Sequence, residues 1–486
     1  MDIVVSNRVA RITPGGPMVG GLAAALLPAV EKSGVVWFGS SGNTRHIEPG
    51  DNPLVEVEGY GRGTIARVDL PEQHYGGYYE GYANSCLWPL LHARTDIAHA
   101  RAGDYASYCA VNANMARTLA GFAAPDSTFW IHDYHFLPLG RELRRQGVGE
   151  KIGFFLHTPW PERRTMAALA ELRELAQAML AYDLIGFQTD RDRNNFASIL
   201  RNELHVPHEG LNFEGPHGTC RLATFPIGID TEGFADSALK AAGDTDVHRL
   251  RTSLNGAKLI VGVDRIDYTK GIGERFQAFD HLLGRYPKLR GRLSFLQVGV
   301  PSRSNIASYR ALQHQLAAQV GDINGRHGDI DWTPVRYLNK GFCQATLAGF
   351  YRTAAIGLVT PLQDGMNLVA KEYVAAQNPA DPGVLVLSKR AGAAHELDAA
   401  LLVDPENVEA VARCIASGLA MPFEERRARW QQMMDTLLRN SIHAWFTGFM
   451  QALKAPAHRN VVPLEPAKVP SLRPATARDP AWAAHP

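Results

Sequence analysis

The chain has 486 residues, enough for two or three domains at roughly 150 residues each. Hydrophobic residues at 45% and charged residues at 20% make a globular composition, which excludes a wholly disordered chain. With 50 Lys+Arg against 49 Asp+Glu, the formal charge of +1 argues against a general nucleic-acid binder and leaves room for a local anion site. The five cysteines, Cys86, Cys109, Cys220, Cys343 and Cys414, are odd in number, widely spaced and without a CxxC pair. Scattered reduced thiols are expected, not a disulfide framework or a zinc ribbon. The opening MDIVVSNR lacks a signal-peptide pattern, and no apolar run approaches the ~20 residues of a membrane span, so a cytoplasmic protein is expected.

In chain order, short β-branched or aromatic runs predict strands at 3–5, 35–38, 128–132, 152–156, 184–188 and 222–227. A second series follows at 259–263, 293–298, 356–360, 384–387 and 401–403. Most are continuous apolar runs, as in strands covered on both faces. Amphipathic stretches such as 163–179 and 275–285 predict helices between them, so the fold class is α/β with parallel sheets. The polar segment TEGFADSALKAAGDTD suggests a boundary near 235/236. Two doubly wound domains are expected, 1–235 and 236–440, with a cleft between their strand-end loops. Trp445, Phe446, Phe449, Met450 and Leu453 mark one face of a packing helix over 441–454, expected to return to the first domain. The Pro- and Ala-rich residues 455–486 read as a disordered tail.

Residues that could carry chemistry stand at predicted strand ends. SNR at 6–8 precedes Gly20 and Gly21, a loop whose amides can approach an anion or simply turn into a helix. WIHDYHFLP places Asp133 between His132 and His135. That pattern suits a carboxylate accepting sugar hydroxyls, a buried Asp fixing a loop, or a metal site. In FFLHTPWP, His157 ends a buried strand, where it can bind a ligand or serve packing. In VDRIDYTKG, Arg265 and Lys270 end a strand before a helix, a placement suited to a diphosphate. In TPLQDGMNLVAKEYVAAQ, Asp364 and Gly365 form a loop, a helix begins near Asn367, and Glu372 lies on its first turns. Asp364 and Glu372 can accept hydroxyl hydrogen bonds, or act as a cap and a solvated acid.

SNR with GGL, LWPLLH, WIHDYHFLPLGRELR, IGFFLHTPWP, LIGFQT, FPIGID, DRIDYTKG and QDGMNLVAKEYVAAQ occur in one order. Over about 1–455 the chain resembles the trehalose-6-phosphate synthase family, retaining glycosyltransferases of GT-B type with two facing Rossmann-like domains. The resemblance implies a nucleotide-glucose donor, by default UDP-glucose, on the second domain and glucose 6-phosphate mainly on the first. It implies that Arg265 and Lys270 hold the donor diphosphate. Asp364 with the backbone of Gly365, Met366, Asn367, Leu368 and Val369 would hold the transferred glucose and phosphates. Glu372 would bind ribose, and His157 would contact the donor glucose. Arg8, Tyr79, Trp88 and Arg303 would form the acceptor-phosphate pocket, Asp133 would hold acceptor hydroxyls, and Gly21 would belong to a closing loop. His157, Arg265, Lys270 and Asp364 are the residues expected to act in catalysis.

No DxD motif occurs in the loops that carry Asp133, His157, Arg265 and Asp364, so neither a metal nor another cofactor is implied. Three departures stand out. Ser40 replaces the family's Trp in FGSSG, Trp160 replaces a usual Phe, and the loop 11–19 is compact. Ser40 keeps open a relative that uses glycerol 3-phosphate, glucosylglycerol-phosphate synthase. A non-catalytic sugar-phosphate sensor is a further alternative, and a homo-oligomer is left open.

Overall fold

The structure is a computed structural model that describes residues 1–9, 26–27, 30–31, 34–48, 53–303 and 305–455. Gly20, Gly21, the loop 11–19 and the expected tail from 456 onward lie outside the described residues.

The first sheet comprises β1 Asp2–Arg8, β2 Val36–Arg45, β3 Val55–Tyr60, β4 Gly63–Pro71, β5 Thr128–His132, β6 Lys151–Phe155, β7 Leu184–Phe187, β8 His208–Glu209, β9 Asn212–Gly215 and β10 Gly218–Thr224. Their order is β3-β4-β2-β1-β5-β6-β7-β10-β9-β8. Strands β4, β2, β1, β5, β6, β7 and β10 run parallel. Antiparallel strands close both edges. The second sheet comprises β11 Lys258–Arg265, β12 Leu293–Val300, β13 Val335–Leu338, β14 Ile356–Val359, β15 Val384–Ser388 and β16 Leu401–Val403. All are parallel, in the order β13-β12-β11-β14-β15-β16. This is the doubly wound order 3-2-1-4-5-6, whose crevice opens where the order reverses, here between β11 and β14.

Each apolar run expected to be a strand overlaps one of these strands. Of the strands not foreseen, β3, β8, β9 and β13 are edge strands or short ones, whereas β4 is a nine-residue, largely buried strand between β3 and β2. β3, VEVEGY, is exposed along most of its length, so no buried face imposes an apolar pattern on it. The expected helix over 163–179 is two helices, Arg163–Met166 and Leu172–Met179. Tight bonds from the Ala168 and Leu169 amides to the Thr165 and Met166 carbonyls turn the chain between them.

The boundary expected at 235/236 falls inside the helix Thr231–Lys240, which buries Phe234 and Ala238 and packs on the second-domain helices Gln344–Thr353 and Leu368–Ala376. Its polar face gives it the composition of a linker in the sequence. The chain crosses earlier, at Ile227. The Ile227 amide donates to Gln188 Oε1 of the first domain at 3.0 Å, and its carbonyl accepts from Lys371 Nζ of the second at 2.7 Å. The helix Ile442–Lys454 packs on the first sheet. There Phe449 stacks on Trp130 at 4.4 Å and 11°. Gly153 and Gly186 make room for the Phe449 ring, because a Cβ on either would lie within 2.9 Å of it.

Candidate active site

In the second domain the two strands flanking the reversal carry the charged groups. β11 delivers Arg265 at its last position, exposed and among the described residues free of any ion pair. The turn after it holds Asp267 and the one-turn helix Tyr268–Lys270. Beyond β14, Asp364 meets Lys270, with Nζ to Oδ2 at 2.5 Å, and accepts from Asn367 Nδ2 at 3.0 Å. Burial opposes charge on Asp364, but Lys270 and its hydrogen bonds outweigh burial and hold the carboxyl below the ordinary range. Asn367 Oδ1 accepts from the Ala370 amide and caps the helix Leu368–Ala376. The free amides at that N-terminus favour an anion. Glu372, within this helix, lies 3.5 Å from the Tyr351 hydroxyl, and burial pushes its carboxyl up to about 7.

In the first domain the sheet order reverses between β1 and β5, and these strands end at Arg8 and at His132. Asp133 follows with φ 76° and ψ 167°, a region almost reserved for glycine. Its amide donates to the Phe155 carbonyl at 2.8 Å, and its Oδ1 accepts from the His157 amide at 3.3 Å. Burial pushes the Asp133 carboxyl up to about 6, against its amide bonds and against Arg265 and Arg303. The His157 ring is held at both nitrogens. Nε2 is 3.0 Å from His132 Nδ1, and Nδ1 is 3.4 Å from Gln188 Nε2. Burial lowers the His157 pKa to about 3, so the ring is neutral.

A wide-turn π-helix, Gly76–Leu87, runs directly into Trp88. Such helices recur at functional sites. Its side chains bridge the wide turns, with Asn84 Nδ2 donating to the Tyr79 carbonyl at 2.8 Å. Tyr79 is half-buried and stacks between Tyr75 and His135. From the second domain, Arg303 reaches across. Its guanidinium lies 4.1 Å from the Trp88 ring centroid, and Nη2 donates to the Tyr134 hydroxyl at 3.1 Å. The Arg265 guanidinium lies 5.7 Å from the same indole. Tyr134 in turn donates to Asn84 Oδ1 at 2.8 Å. The domains also touch at Gly365, where a Cβ would lie 2.0 Å from the His157 carbonyl oxygen.

The geometry therefore gathers Arg265, Lys270, Asp364, Arg303, Trp88 and Asp133 around one cleft. The Arg8 guanidinium lies against Gly42. Ser40 is buried, and its hydroxyl accepts from the Gly42 amide at 3.0 Å. Glu372 stands deeper in the second domain, Gly21 lies outside the described residues, and the His157 imidazole is committed within the first domain. Sequence reasoning missed Asn84, Tyr134, Asp267 and Tyr309. Tyr134 and Asp267 sit inside motifs already singled out, and a polar residue beside a strand-end charge was the available signal.

Two facing doubly wound domains, with cations at the strand ends of one and a carboxylate at a strand end of the other, define a GT-B glycosyltransferase architecture. The profile of glycosyltransferase family 20 matches residues 14–455, and the chain belongs to that family. It is 44% identical over 461 residues to the trehalose-6-phosphate synthase of Sinorhizobium fredii, covering 94% of this chain and 99% of that one. The UDP-forming α,α-trehalose-phosphate synthase of Burkholderia xenovorans in complex with glucose 6-phosphate superposes with a TM-score of 0.90 at 41% identity, covering 93% of this chain and 100% of that one. A structure from E. coli bound with UDP-2-fluoro glucose gives 0.87 at 39% identity, covering 94% and 100%.

Proposed function

We propose that the chain transfers glucose from UDP-glucose to glucose 6-phosphate, giving α,α-trehalose 6-phosphate and UDP with retention of configuration. One observation carries the reading: Arg265 and the Lys270–Asp364 pair at the second domain's strand ends face Trp88, Tyr134 and Asp133 across the cleft. Cleaving the bond from glucose C1 to the diphosphate builds positive charge on the ring and negative charge on the leaving oxygen. Arg265 and Lys270 take up the second charge in a closed, low-dielectric cleft. Asp364, with the backbone from Gly365 through Met366, Asn367 and Leu368 to Val369, holds the transferred glucose and phosphates, and Glu372 accepts from ribose.

Arg8, Tyr79, Trp88 and Arg303 receive the acceptor phosphate, and Asp133 accepts from its hydroxyls. The acceptor hydroxyl attacks on the face from which the diphosphate departs, and the departing oxygen takes its proton. His157 contributes through its main chain beside Gly365, because its ring nitrogens are already engaged. The first domain is thus the acceptor side and the second the donor side. Five free thiols suit a reducing compartment and support a cytoplasmic reaction.

The test is nucleotide release from UDP-, ADP- and GDP-glucose, each with glucose 6-phosphate and with glycerol 3-phosphate. UDP release that depends on glucose 6-phosphate is expected. Arg265→Ala should lower kcat by about 10²–10³-fold while leaving the melting temperature unchanged. A variant as active as the parent removes Arg265 from the role.

A further inference from the structure

Asp267 sits between the two donor-side cations, two residues after Arg265 and three before Lys270, and it is 1% exposed. Its Oδ1 accepts from the Thr269 amide at 3.0 Å and fixes the turn that carries Lys270. Its Oδ2 accepts from Arg303 Nη1 at 3.1 Å and from the Tyr309 hydroxyl at 3.3 Å. Burial opposes its charge, yet Arg303, Arg265, Lys270 and the Thr269 amide keep it ionised. One carboxylate thus ties the donor loop to the arginine that reaches across the cleft.

Arg303 itself needs holding. It has φ 49°, an uncommon backbone state for a residue with a side chain. Of its five N–H donors, Nη1 faces Asp267 and Tyr309, and Nη2 gives one to Tyr134. Nε and the second Nη2 hydrogen donate to no described side chain, which leaves two donors of the guanidinium for the oxygens of a phosphate.

We propose that Asp267 is a positioning residue for acceptor capture, aiming these two donors of Arg303 at the acceptor phosphate and joining Arg303 to the donor-diphosphate loop. The proposal rests on the reading of Arg303 as part of the acceptor-phosphate pocket. A bare counter-charge would act in the opposite sense: neutralising Asp267 would then raise the local positive potential and tighten phosphate binding. Positioning predicts weaker binding.

The experiment compares wild type, Asp267→Asn, Arg303→Ala, the double variant and Tyr309→Phe. Steady-state KM for donor and acceptor is measured, together with calorimetric affinity for glucose 6-phosphate. Asp267→Asn should raise acceptor KM at least about tenfold and leave donor KM within about threefold. Tyr309→Phe should shift acceptor KM the same way by less, and it keeps the test alive if Asp267→Asn fails to fold. The double variant should be no weaker than Arg303→Ala alone, because both act through one group. An acceptor KM that stays level or falls in Asp267→Asn, or losses that add in the double variant, would overturn the proposal. If wild type accepts glycerol 3-phosphate instead, the functional reading fails, and the same comparison on that phosphate decides the role of Asp267.

Discussion

Glu372 and Asp133 are acids that burial pushes up, whereas Asp364 and Asp267 are held down by neighbouring cations. The difference has a measurable sign. For Glu372 the ordinary value is 4.5 and the folded value about 7. Between these, the unfolded chain is ionised while the folded chain keeps its proton. Stability therefore falls as pH rises through that window and levels off above it. Glu372→Gln mimics the protonated acid. It should melt above wild type near pH 8 and match it near pH 4.5, as followed by calorimetry. Ribose hydroxyls donate to the ionised form, so UDP affinity should strengthen from about pH 6 to about pH 8 in wild type and stay level in the variant. A level wild-type profile would detach Glu372 from ribose.

Among elements, the loop after β14 and the helix Ile442–Lys454 touch the first domain in different ways. Gly365→Ala would place a methyl 2.0 Å from the His157 carbonyl, a neighbour on the opposite side of the cleft. The domains can part to relieve that clash, so kcat should fall about tenfold with little change in melting temperature. A lowered melting temperature with normal kcat would make the contact structural instead. Phe449 is fully buried against Trp130, inside the hydrophobic core. Phe449→Ala should cost about 3–5 kcal/mol in denaturant unfolding. The central strands were legible because β5 and β7 are buried at every position. The π-helix was not, since GGYYEGYANSCL has neither a 3.6-residue nor a 2-residue apolar period.

At the scale of the molecule, two chain crossings meet at one buried knot. Lys371 holds the Ile227 carbonyl and pairs with Glu396 at 2.6 Å. Glu396 Oε1 accepts from Asn440 at 2.8 Å, and the Ile442 amide donates to the Ile229 carbonyl at 3.0 Å. Lys371 precedes Glu372 on the helix that begins at the donor loop, so this hinge is fastened to the donor side. Domain closure on binding both substrates should appear as compaction in solution scattering. Lys371→Met should reduce that compaction and cost about 3–5 kcal/mol, since Glu396 is left buried without its cation. Identical wild-type profiles with and without UDP and glucose 6-phosphate would count against closure.

Local sequence determined most of the strands, the parallel core of both sheets and most of the charged strand ends. Buried parallel strands must be continuously apolar, and Arg265, Lys270, Asp364 and Asp133 interrupt that pattern where the strands stop. Tertiary structure decided which distant residues meet, within the first domain and across the cleft. It placed Arg303 on Trp88 and Tyr134, committed the His157 ring to His132 and Gln188, and moved the crossing to Ile227. Those contacts join residues up to 215 positions apart, as between Trp88 and Arg303, and periodicity along the chain carries no information about partners at that distance.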